Sequence, residues 1–83
     1  MNEDATVVEV SRNPKGARSE LERLCDDGLV ADLILQDGTI TSGVLLGISS
    51  TSLILDRWDE NRHRPAGDPI VIAFSEVTRV VVP

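Results

Sequence analysis

Few side chains in this sequence can do chemistry, and most of those fall in one stretch, RWDENRHRPAGDP over residues 57–69. It holds the only tryptophan, Trp58, and the only histidine, His63, among Arg57, Arg62 and Arg64. An indole flanked by guanidinium groups can stack on a nucleobase or anchor a protein interface. The same residues also read as an aromatic plug at the end of a small sheet, with solvated charges around it. His63 lies between two arginines and reads as a solvated loop residue, not as a metal ligand or general base. Asp26, Asp27 and Asp32 form a second, acidic group. Adjacent carboxylates near a helix end diverge, and no third ligand or partner base accompanies them. They read as solvated surface or as a contact for a basic partner. The hydroxyl run Ser49, Ser50, Thr51, Ser52 has no histidine spaced to activate it and reads as a polar turn. Cys25 is the lone cysteine, so it forms no disulfide within the chain, and it falls on the apolar side of a predicted helix as a small buried hydrophobe. These residues predict no enzyme, no cofactor and no metal site.

Charge distribution says more than the net charge of −6. From Leu24 to Asp56 there is no lysine or arginine, while Asp26, Asp27, Asp32, Asp37 and Asp56 are acidic. The basic residues form two groups, Arg12, Lys15, Arg18 and Arg23 before that region and Arg57, Arg62 and Arg64 after it, with Arg79 alone near the end. Phosphate neutralisation supplies most nonspecific nucleic-acid affinity, and the middle of the chain cannot contribute to it. RNA is a possible partner that the charge disfavours. The start, MNEDATVVEV, is acidic and lacks a positive segment ahead of an apolar run. No apolar stretch reaches the length of a membrane span. With one cysteine, these features predict a cytoplasmic protein with no membrane partner.

The elements that must position these groups follow from spacing. Residues 1–12 read as a flexible tail, with TVVEV able to pair as an edge strand. Residues 13–83 read as a single domain. A helix is predicted over 14–27, capped by Asn13 with Pro14 at its first position, or alternatively by Ser19 with Glu22 in a capping box. Ala17, Leu21, Leu24 and Cys25 form its apolar stripe, and Gly28 ends it. Five strands follow, over 29–36, 39–49, 52–57, 69–75 and 78–82, with a polar loop before the fourth. One helix and five strands predict a mainly β fold, a small antiparallel SH3-like barrel with an N-terminal helix.

Three glycines have structural roles in this scheme. Asp37-Gly38 is a tight hairpin signal. Gly43 and Gly47 lie inside a strand, where glycine marks a bulge, a bend or close approach of another backbone. Leu33, Leu35, Leu45, Leu53, Leu55, Ile70, Ile72, Val80 and Val82 form an interior set. Ile34, Leu46, Ile48, Ile54, Val71 and Val81 point the other way, toward a satellite core or an interface. If the valine-rich last strand were an exposed edge, it could also pair between chains.

The run LILQDGTITSGVLLGISSTSLIL, a variable loop and IVIAFSEVTRVVVP resembles the Sm-like fold of the Sm, Lsm and Hfq proteins. Leu33, Leu35, Asp37, Gly38, Gly43 and Leu45 fit the first half of that pattern, and the V-x-x-V-V-V-P ending is similar to the close of the Hfq core. The resemblance implies that the strand-2 glycine permits the bend that closes a barrel. It also implies RNA binding by two loops, and there the chain departs from the family. Ser49, Ser50, Thr51 and Ser52 stand where the family has Asp and Asn, or Gln and an aromatic. Phe74 and Ser75 stand where it has Arg-Gly or Lys-His. Weaker resemblances link the chain to Rof, an acidic Sm-like inhibitor of the Rho factor that binds protein, and to the C-terminal domain of RimP.

The expected function is therefore a noncatalytic interaction or regulatory module that binds a protein partner or self-associates, with Asp26, Asp27, Asp32 and Trp58 as contacts. The alternative is a divergent Sm-like RNA binder assembled as a ring, using Arg57, Trp58, Arg62, Arg64, Ser50 and Thr51.

Overall fold

A computed structural model describes residues 6–83. The order is β1 (Thr6–Glu9), α1 (Pro14–Asp27), β2 (Val30–Leu35), β3 (Ile40–Ile48), β4 (Ser52–Asp59), β5 (Arg64–Pro65), β6 (Ile70–Ala73), a 3₁₀ turn (Phe74–Glu76) and β7 (Val77–Val82). The protein is mainly β, with one helix and an antiparallel sheet. Asn13, not Ser19, caps α1: its side-chain oxygen accepts a hydrogen bond from the Gly16 amide at 3.2 Å. Gly28 takes the left-handed conformation at φ 65° and closes the helix, its amide donating to the Leu24 and Cys25 carbonyls.

The five-stranded barrel expectation needs correction. Among the described residues seven strands form, in the order β1-β7-β2-β3-β4-β5, with β6 also paired to β4, and the sheet they make does not close on itself. One added strand comes from the segment expected to be a tail. Its apolar residues alternate, so pairing Thr6–Glu9 with β7 turns Val8 into the core, and Val10 follows it there. The last strand is consequently not an edge, since β7 lies between β1 and β2. The other added strand lies in the expected polar loop. There β4 continues past Arg57 through Trp58 to Asp59, and the two-residue β5 folds back on it.

One core fills the curved sheet beneath α1. Leu33, Leu45, Leu53, Leu55, Ile72, Val80 and Val82 are buried with Ala17, Leu21 and Leu24 of the helix, and Leu35 and Ile70 pack against them. The outward set behaves differently from expectation at one residue. The β3–β4 register shifts between Leu45 and Gly47, which leaves Leu46 as an extra residue in a bulge. The bulge resets the alternation, so Ile48 packs on the core while Leu46 faces solvent.

Candidate functional site

The four residues expected to contact a protein do not converge. Asp26 and Asp27 are exposed at the end of α1. Asp32 is half-buried on the outer face of β2, where its carboxylate accepts the hydroxyl of Ser42 at 2.5 Å across the β2–β3 pair. Trp58 is half-buried on the outer face of β4, opposite Pro65. Asp32 and Trp58 thus share a face two strands apart, about 10 Å across the sheet. The helix-end pair belongs to another part of the surface.

The residues of the RNA alternative are split as well. Ser50 and Thr51 are exposed in the β3–β4 turn, and Ser49 braces that turn: its hydroxyl accepts the Ser52 amide at 3.0 Å and the Thr51 amide at 3.3 Å. Arg57, Arg62 and Arg64 are exposed at the opposite end of β4, roughly 20 Å away at the rise of a strand. Arg62 also pairs with Asp59 at 3.8 Å.

Two other features concentrate unusual surface. The first is the edge strand β6. Val71 is 70 % exposed and lies opposite Ile54, which is 37 % exposed and lies opposite Gly47. Leu46, in the bulge beside Gly47, is 52 % exposed. Together they form an apolar cluster that runs to the rim of the sheet. Among the described residues β6 pairs only with β4, so its other rim offers backbone donors and acceptors with no described strand against them. The strand is IVIA, four residues long, with no charge, no internal proline and no bulge, so shortness is its one protection as an edge. The opposite rim differs, because on β1 Glu9 pairs with Arg79 at 3.9 Å.

The second is a cleft of about 490 Å³ between the start of α1, the β3–β4 turn and the 3₁₀ turn. Lys15, Arg18, Gln36, Ser50, Phe74 and Ser75 are among its lining residues. The Arg18 guanidinium carbon sits 5.4 Å from the centroid of the Phe74 ring. The cleft's two cations come from α1, where the Lys15–Arg18 spacing of three sets two long basic side chains on one helix face.

Burial pushes the Cys25 thiol up, with Asp26 and Glu22 adding to the shift, so it is held in its unreactive form. Among the described residues no three His, Cys, Asp or Glu side chains are grouped to hold a metal ion. Likewise, no helix among them is long and apolar enough to cross a membrane. No protein-family model, curated protein or solved structure matches this chain.

Proposed function

We propose that this chain is a noncatalytic interaction module that pairs, through the free rim of β6, with a second copy of itself. The observation that carries the reading is the uncharged IVIA edge with the cluster Leu46, Ile54 and Val71 beside it. Exposed apolar patches that run to an open sheet edge are covered in working proteins. A two-fold axis through Val71 sets Val71 against Val71 of the second copy, and Ile70 against Ile72. In that register the outer-face cluster continues across the axis, and no like charges meet. A shift of one residue would turn Val71 toward the partner's core face, so the apolar pattern favours one register.

Membership of the Sm-like fold is part of the proposal. A helix leading into antiparallel strands, the pairing of β7 with β2, and the close approach at Gly43 support it. The RNA-ring alternative has less support. Its candidate contacts sit at both ends of β4, and a ring needs two different rims to meet, whereas β6 is self-complementary. Noncatalytic action in a cytoplasmic setting completes the reading.

Val71→Lys is the test, because the residue is exposed and a lysine there has room in the single protomer. Sedimentation velocity should show the variant as a protomer while the wild type is associated. Asp26→Lys combined with Asp27→Lys should leave association unchanged. If the helix-end reversal disperses the assembly and Val71→Lys does not, the docking surface has been misplaced.

A further inference from the structure

We infer that the outer face of the sheet around Trp58 receives an arginine side chain presented by a partner protein. The proposal does not depend on β6 pairing, since edge-to-edge pairing leaves both faces of a sheet open. Alternation along the strands and the register between them place the residues. Asp32 lies between Val81 and Ser42. One pair beyond Gly43–Arg57, the same β3–β4 register sets Trp58 beside Ser42, and Pro65 lies on its other side. In the next row of the face, Val44 lies between Val30 and Asp56. Asp32 and Asp56 thus flank the indole, one about 10 Å across the strands and the other about 7 Å along β4. Ile40, 63 % exposed, and Val30, 37 % exposed, extend the apolar surround. Among the described residues no helix covers this face, because α1 packs on the core side.

Charge complementarity defines the occupant. From Leu24 to Asp56 the chain has no lysine or arginine, so β2, β3 and most of β4 bring only carboxylates to this face. Arg79, opposite Ile34, also lies on it, but it is paired with Glu9 at 3.9 Å. Arg57 and Arg64 belong to the other face, because each adjoins an outward residue along its strand. Asp32 and Asp56 are half-buried, and among the described residues neither is in an ion pair. Each has one oxygen committed: Asp32 accepts the Ser42 hydroxyl, and Asp56 accepts the Gly67 amide at 2.9 Å. The second oxygen of each remains to accept from a partner. Half-buried carboxylates among apolar side chains are costly without a cation, and one cation over the Trp58 ring meets both. Phosphate in the same place would meet repulsion from both. A guanidinium suits the arrangement better than an ammonium, since its plane stacks on the indole while its edge donates to oxygen. Val44 and Pro65 beside the ring accept the methylene stem.

Trp58 is the only tryptophan, so its emission reports occupancy of this face in the full chain. The probes are a glycine-spaced tri-arginine peptide, its lysine and citrulline counterparts, and oligo-uridine. A saturable change in emission is expected with the arginine peptide. The lysine peptide should bind about threefold more weakly, and the citrulline peptide, which keeps the shape and loses the charge, about tenfold or more. Asp32→Asn and Asp56→Asn should each weaken the arginine peptide about fivefold, and added salt should weaken it further. Both asparagines can still accept the Ser42 hydroxyl and the Gly67 amide, so these variants keep the fold. Asp26→Lys combined with Asp27→Lys should leave the affinity within about twofold, because that pair lies on another part of the surface. Unmoved emission at millimolar arginine peptide would overturn the proposal, as would affinities indifferent to both asparagine variants. Lysine or citrulline peptide binding as tightly as arginine would remove the guanidinium from it. Tighter binding of oligo-uridine would give the face to RNA instead, and emission that changes when the Val71→Lys chain is diluted alone would give it to a second copy.

Discussion

Gly43 and Gly47 lie four residues apart on β3, and both read from the sequence as backbone that must bend or be approached closely. The structure separates them. A Cβ on Gly43 would run into the backbone of β4, at the Asp56 carbonyl oxygen and 2.8 Å from the Arg57 Cα. A Cβ on Gly47 would meet only the end of the Ile54 side chain at 3.6 Å, an ordinary contact. Gly43→Ala should therefore cost about 2 kcal/mol or more in urea unfolding, and Gly47→Ala less than about 0.5 kcal/mol. Equal losses would mean that the bend, and not close approach, selects both glycines. Gly38 has a third reason, its φ of 89° in the Asp37-Gly38 turn. In that turn the Asp37 carboxylate accepts the Thr39 amide at 2.9 Å, which holds its pKa below the ordinary aspartate value. The sign follows from a folded pKa lying below the unfolded one. The stabilisation is present above the ordinary aspartate range and is lost as pH falls through the lowered value. An acid titration of the Thr39 amide resonance should show a midpoint below that of a free aspartate, and Asp37→Asn should abolish the titration. A midpoint at the ordinary value would remove the hydrogen bond from the account.

At the scale of elements, α1 and the hairpin β2–β3 were legible because their signals are local. Asn13-Pro14 and Gly28 mark the helix ends, and Asp37-Gly38 marks the turn. What was illegible depends on partners far away in the chain. Nothing within TVVE says that β7 has a free rim for it, so an edge strand there was an option and not a conclusion. Likewise the polar residue Asp59 hides the continuation of β4 beyond Arg57, which β5 holds in place. The bulge at Leu46 was hidden by the unbroken run VLLGI, in which every residue is compatible with either face. The candidate site was less legible still: the cleft joins residues 15, 18, 36, 50 and 74, a set that no spacing rule connects. If β1 is an integral strand, its one core-facing residue within the pairing should matter. Val8 is 4 % exposed, and Val8→Ala should lower stability by about 1.5–2 kcal/mol, two buried methyl groups, in chemical denaturation. A change within error would return residues 6–9 to the status of a tail.

For the whole molecule, the balance of surfaces decides the reading. One rim of the sheet is β1 itself, which among the described residues pairs only with β7 and carries the Glu9–Arg79 ion pair. The other rim ends in an uncharged strand beside an exposed apolar cluster. A fold this small buries little of its surface, and a second copy is one way to extend its core. The measurement that tests this most directly is the absolute mass of the purified chain by light scattering across a concentration series. A salt-resistant dimer of about 18 kDa, twice the 9.0 kDa protomer, is expected, because apolar pairing is not screened. A protomer of 9.0 kDa at every concentration would contradict it. A closed ring of higher mass would contradict the two-fold pairing and move the contact to two different rims.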